Sequence, residues 1–224
     1  IAPLAILLPN NPDGGVAASV PGQTVVGAVR EAARHRGYVL LTTGFFVCGF
    51  HVTFISVHFP AYISDLGLNP AVAAWSLALI GLFNIGGSLM SGFAGQRWSK
   101  KAGLSFIYTG RAIAILALLL LPKTEMTMYV FAAAMGLLWL STVPLTTGIV
   151  AQVFGVRYFA TLSGIVFFSH QVGSFLGAWL GGYLFDLTGS YDVVWMIAVA
   201  LGVLAALLHL PIADRPILRK EMRA

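Results

Sequence analysis

VAAWSLALIGLFNIGGSLMSGFA (72–94), GQRWSKKAG (95–103) and LSFIYTGRAIAILALLLL (104–121) follow one another without a break. Two long apolar runs are joined by a short loop carrying Arg97, Lys100 and Lys101. Each run is near the ~20 apolar residues that a helix needs to cross a ~30 Å hydrocarbon core. Short loops rich in Lys and Arg stay on the cytoplasmic side. The stretch therefore reads as one helix entering the cytoplasm and the next leaving it. The same unit recurs outward in both directions, with further apolar runs at 38–63, 128–150, 159–184 and 193–210. Arg30, Arg34 and Arg36 precede the first run, Arg157 separates the fourth from the fifth, and Arg215, Arg219, Lys220 and Arg223 follow the sixth. Eleven of the thirteen Lys and Arg thus fall on one side; only Lys123 lies opposite, and Arg111 lies inside a run. The predicted fold class is an all-α integral membrane protein with six transmembrane helices and both ends cytoplasmic, in a plasma or inner membrane.

Only 9% of the 224 residues are charged, against about 25% in a soluble domain, so a soluble fold is excluded. The net charge of +5 comes from loop residues beside spans, which fits topology and anionic lipid headgroups better than nucleic acid. Cys48 is the single cysteine, so no disulfide within the chain and no cysteine metal site are expected, and no cofactor either. Residues 1–8 are apolar but too short to span, and read as the end of a preceding transmembrane helix. Residues 9–37 read as a cytoplasmic linker. Within it, Val25, Val26, Val29, Ala32 and Ala33 fall on one helical side and Arg30, Glu31, Arg34 and Arg36 on the rest, which suits an interfacial helix that Gly37 terminates. Residues 38–210 form the six-helix bundle and 211–224 a cytoplasmic tail.

The loops between spans are too short for an enzymatic head, so any chemistry lies between helices. Polar groups at membrane depth face a cavity or a partner helix. Arg111 lies ~10 Å into the third span at 1.5 Å per residue. It either meets an anionic group in a water-filled cavity or caps carbonyls and snorkels toward headgroups. His51 and His58, with Phe54 and Tyr62 near the same stripe, form either a polar cavity wall or a set of interhelical bonds. A metal site is disfavoured because i,i+7 separates the rings by about 10 Å. His170 and Gln171, beside Ser169 and Ser174 midway through the fifth span, are the strongest candidates for a substrate- or proton-linked site. Asn84 precedes Gly86 and Gly87 in the second span, where close packing and an interhelical amide bond explain it. Thr147 belongs to Ser141–Gly148 around Pro144, a segment that either kinks or opens carbonyls to a cavity. No Asp or Glu lies deep in any run, so a coupling proton would travel through histidine.

Two stretches resemble signatures of the major facilitator superfamily. Gly92-Phe-Ala-Gly-Gln96-Arg97-Trp-Ser99-Lys100-Lys101 resembles its cytoplasmic loop G-x-x-x-D-R-x-G-R-R, with Gln96 in place of the acid and Ser99 in place of a glycine. Gly173-Ser-Phe-Leu-Gly177-Ala-Trp-Leu-Gly181-Gly182 resembles G-x-x-x-G-P-x-x-G-G, with Ala178 in place of proline. Independently of the family, glycines four apart give a flat face for a second helix. The resemblance implies one half of a twelve-helix fold, namely its C-terminal six helices. The implied partners are a missing N-terminal six-helix half, the lipid bilayer, a small-molecule substrate and a coupling proton in symport or antiport. The implied mechanism is alternating access about a midplane site. At finer grain, residues 46–51, 58–62 and His170-Gln171 resemble the monocarboxylate and oxalate/formate branch, which implies small organic anions that Arg111 suits as a carboxylate partner.

Two rival classes remain. An intramembrane serine protease needs a serine activated by a neighbouring histidine, but Thr161-Leu-Ser163-Gly164 lacks a leading glycine and His209 lies at the far cytoplasmic end. A six-span channel or structural membrane subunit lacks a filter-like loop. The expected function is a secondary transporter, not an enzyme.

Overall fold

The computed structural model describes residues 23–217. Eight helices are found among them: α1 (Val25–Arg34), α2 (Arg36–Asp65), α3 (Pro70–Arg97), α4 (Lys100–Leu120), α5 (Glu125–Leu138), α6 (Thr142–Phe154), α7 (Phe159–Thr188) and α8 (Asp192–His209). Six segments are long and apolar enough to cross a membrane: α2, α3, α4, α5 and α6 taken together, α7 and α8. Each matches one of the six expected runs, with Leu121 and Leu210 one residue past the ends of α4 and α8. The expected end of a preceding helix at 1–8 and the last part of the tail, 218–224, lie outside the described residues.

Polar residues in the short loops start the helices. Asn69 Oδ1 accepts from Ala71 N–H at 2.9 Å with Pro70 in the first turn, and Thr124 Oγ1 accepts from Thr127 N–H at 3.2 Å. Such caps satisfy amides that have no partner inside the helix. Gly189, at φ 66°, closes α7 in the left-handed conformation, which only glycine adopts without cost. One expectation for the linker needs correction. α1 ends at His35, not at Gly37, which is buried in the first turn of α2. α1 also buries Ala28 and Ala32 while Val25, Val26 and Ala33 stay exposed.

The bundle is organised as helix pairs. α2 lies along α7, α3 along α5 and α4 along α8. Glycines allow the first two pairs to touch backbone to backbone. A Cβ on Gly49 of α2 would overlap the His170 carbonyl, and one on Gly173 or Gly177 of α7 would overlap the carbonyl of Phe46 or Phe50. In the second pair, a Cβ on Gly87 would overlap the Leu137 carbonyl, and one on Gly136 would lie 2.8 Å from the Ile80 carbonyl oxygen. With no hydrophobic drive between helices in lipid, this close contact is what holds such pairs. Around them sit two apolar cores. One is built on Phe54, Phe59, Phe131 and Trp195, and the other on Phe45, Leu104, Tyr108 and Phe154.

The segment after α8 straps the end of the bundle that carries the basic loops. Lys101 Nζ donates to the Ile212 carbonyl at 2.8 Å, and Lys100 Nζ to Gln152 Oε1 at 2.8 Å. Gln152 Nε2 donates to the Asp214 carbonyl at 2.7 Å, and Ile217 N–H to the Val153 carbonyl at 3.2 Å. The strap ties α4 and α6 to the chain end.

At the same end, His35 Nδ1 accepts from Tyr38 N–H at 3.3 Å and caps α2, with its ring edge-on to Phe154 at 5.4 Å. Burial lowers the His35 pKa below 6.5, against a smaller opposing pull from Glu31. A protonated Nδ1 cannot accept, so the cap contributes stability above pH 6.5 and loses it as pH falls through the lowered folded value. Amide exchange over residues 24–38 is expected to speed up on acidification from pH 7.5 to below 6 relative to α4. His35→Asn, which caps at any pH, is expected to abolish that extra acceleration; equal acceleration in the variant would refute the role.

Candidate functional site

The centre of the site is the interruption of span four. Pro144 has no N–H for the Leu140 carbonyl, four residues before it. The Val143 N–H takes that carbonyl instead, at 3.0 Å, in a tight turn between α5 and α6. The backbone groups freed at the break would be costly in hydrocarbon, and neighbouring spans meet them. Arg111 of α4 donates from Nε and Nη2 to the Leu138 carbonyl at 3.1 and 2.7 Å, and from Nη2 to the Trp139 carbonyl. Asn84 of α3 accepts the Leu140 N–H on Oδ1 at 3.0 Å and a Ser88 hydroxyl at 3.1 Å. Ser91 of α3 donates to the Ser141 carbonyl, and Ser141 Oγ to the Leu137 carbonyl at 2.6 Å.

A polar cluster extends from the break toward α2 and α7. Cys48 Sγ lies 3.2 Å from Thr142 Oγ1 and receives Arg111 Nη2 at 3.6 Å. His170 of α7 approaches the same stretch of α2, its ring centroid 5.0 Å from that of Phe45, three residues before Cys48. The Arg111 guanidinium carbon lies 5.4 Å from the Tyr108 ring centroid, in cation–π range. Arg111 is fully buried, and its Nη1 has no hydrogen-bond partner among the described residues, nor do the Tyr108 hydroxyl and His51 Nδ1. His170 is only half-buried. Its Nδ1 is 3.3 Å from Gln171 Oε1 and 3.4 Å from Ser174 Oγ. Arg111 and His170 therefore share one cluster along the Cys48 stretch of α2, with His170 on its open side. Gln171 is exposed.

The other sequence candidates divide. His51 Nε2 donates to the Ala198 carbonyl of α8 at 2.8 Å, and His58 Nε2 to the Ala178 carbonyl of α7 at 2.8 Å. Phe54 packs on Trp195 with centroids 4.6 Å apart. The polar stripe on α2 is thus an interhelical seam inside this bundle, not an open cavity wall. Thr147 donates to the Val143 carbonyl of its own helix at 2.9 Å. Gly173, Gly177 and Gly181 make the close face toward α2, whereas Gly182 only reaches His58 Cε1 at 3.8 Å and Gly92 meets nothing within 4 Å. Lys100 and Lys101 hold the strap, and Arg97 is exposed. His209 stacks on Tyr108 at 4.9 Å and bonds the Ala205 carbonyl of its own helix, so it is placed for packing rather than for activating Ser163.

Sequence reasoning missed Cys48, Tyr108 and Thr142 as members of the cluster, and Ser91 as a support of the break. The available signal was Pro144, which marks a carbonyl that needs a donor from elsewhere. No group of three metal-ligating side chains occurs among the described residues.

Comparison with known proteins agrees with this architecture. The chain is 26% identical over 182 residues to the uncharacterized MFS-type transporter YcxA of Bacillus subtilis (strain 168), covering 79% of this chain and 44% of that protein. It is 30% identical over 176 residues to monocarboxylate transporter 13 of Rattus norvegicus, covering 76% and 40%, and 28% identical over 198 residues to that of Bos taurus, covering 84% and 45%. The chain thus spans less than half the length of these relatives. A model of the Major Facilitator Superfamily matches residues 39–223. That match covers most of the chain and, with the six candidate spans, places it in the Major Facilitator Superfamily of membrane transporters, which are not enzymes.

Proposed function

We propose that this chain is the C-terminal six-helix half of a twelve-span secondary transporter that moves a small organic anion, such as a monocarboxylate, by alternating access. Both chain ends then lie in the cytoplasm, the strapped basic end faces inward, and α1 rests at the membrane surface. The carrying observation is the Arg111–Cys48–His170 cluster. It puts a buried guanidinium and a half-exposed imidazole on one polar patch in spans without deep carboxylates. An anion is the substrate charge that such a patch favours. The relatives named as monocarboxylate transporters support the same class, and a midplane site beside a broken helix suits the alternating-access mechanism. Arg111 acts here by holding the break, and His170 is the residue that meets substrate or proton.

The test is uptake of short radiolabelled monocarboxylates by the complete transporter in proteoliposomes, with dicarboxylates and neutral analogues as controls. His170→Gln is expected to lower uptake about tenfold, the loss of one hydrogen bond to a charged group worth roughly 1.5 kcal/mol, and to flatten its pH dependence. Unchanged uptake with an unchanged pH profile would remove His170 from the site. Substrate-dependent flux by this chain alone would overturn the half-transporter reading.

A further inference from the structure

A groove of about 470 Å³ runs between α3, α4 and the α5–α6 junction, apart from the polar cluster. Its floor includes Gly87, Ser91 and Ser141, the last two being the pair that bridges the break. Met90 and Phe106 form walls, 67% and 73% exposed, and Trp98 stands at the mouth, 74% exposed. These helices are long and apolar enough to span a bilayer, so the exposed apolar walls of this groove are surface that bilayer lipid can reach. Small floor residues between large walls make a groove rather than a flat face. The mouth lies at the basic end, where Trp98 adjoins the exposed Arg97. An aromatic ring and a cation at one level mark headgroup depth, and the cation complements an anionic headgroup.

We propose that this groove is a retained lipid site. One acyl chain of an anionic phospholipid lies along α3 and α4, its headgroup meets Arg97 and Trp98, and its deeper methylenes cover the span-four break at Leu137 and Ser141. The occupant is a bilayer lipid and not a helix of a partner. Binding is independent of the transport reading. Its consequence, that the lipid steadies the break during transport, rests on that reading.

The test labels the protein in phosphatidylcholine vesicles with phosphatidylglycerol carrying a photoactivatable diazirine in one chain, and maps the adducts by peptide mass spectrometry. A phosphatidylcholine probe with the same chain serves for comparison. Adducts are expected to concentrate on 87–106 and 134–145. Ala94→Phe and Leu137→Trp, which fill the groove, are expected to reduce them about tenfold, equivalent to roughly two buried methylenes. Arg97→Gln is expected to erase the preference for the anionic probe. Labelling around Trp179 of α7, away from the groove, should stay constant and shows that each variant is folded. Even labelling of all exposed helix faces, no labelling of the groove, insensitivity to both filling variants, or equal labelling by the two probes would each overturn the proposal. The readout is binding alone, so a failed uptake assay would leave it standing.

Discussion

Replacing Arg111 by methionine is expected to be the most damaging single change to the break in span four. Methionine keeps much of the side-chain volume but donates nothing. The Leu138 and Trp139 carbonyls then lose their partners, and each buried group left unpaired costs about 1–3 kcal/mol. Removing a buried charge relieves part of this, so the net loss is expected at roughly 2–4 kcal/mol. Arg111→Lys is expected to fall between, because one ammonium cannot reproduce the fork that reaches two carbonyls and the Cys48 sulfur. The measurement is the thermal midpoint of the purified protein in detergent, paired with uptake by the complete transporter. A methionine variant as stable as the parent would show that the break needs no donor from α4. A stable methionine variant that has lost uptake would instead assign Arg111 to the substrate.

The second large effect is expected where α2 meets α7. Gly49→Ala, Gly173→Ala and Gly177→Ala each place a methyl group on a backbone carbonyl of the facing helix, which cannot rotate out of the way. The helices must separate, and the cost is expected to exceed the roughly 1–3 kcal/mol typical of overpacking. Gly86→Ala and Gly164→Ala, where nothing lies within 4 Å, are expected to stay within about 0.5 kcal/mol of the parent. Folded yield and thermal midpoint of the five variants decide it. If both groups behave alike, the close approach of α2 and α7 is wrong.

The six spans and the all-helical class were legible because length, apolarity and loop charge act on whole segments. Boundaries were less so. Gly37 looked like a helix breaker and is the buried second residue of α2, because the His35 side chain caps the helix two residues earlier. The interruption of span four was half legible. Pro144 announces a missing N–H, but the donors that repair the break come from α3 and α4, far away in sequence. The rotation of each helix was not legible, since nearly every position in a span is apolar and no polar face fixes the angle. For that reason His51 and His58 read equally well as cavity wall or seam, and Cys48 showed no sign of its place between Arg111 and Thr142. The glycine ladder on α7 did give its own partner face, because spacing by four is a geometric statement.

The repair of span four also constrains how the protein can be made. Arg111 emerges from the ribosome 27 residues before the carbonyl of Leu138 that receives it. An arginine near the middle of a lone helix costs about 2.5–3.5 kcal/mol to insert. Span three therefore meets the carbonyls that receive this guanidinium only once span four has followed it. Synthesis order and the hydrogen bonds of the finished bundle are in this way a single constraint, and a mutation at either end of that bond would be felt first by the insertion machinery.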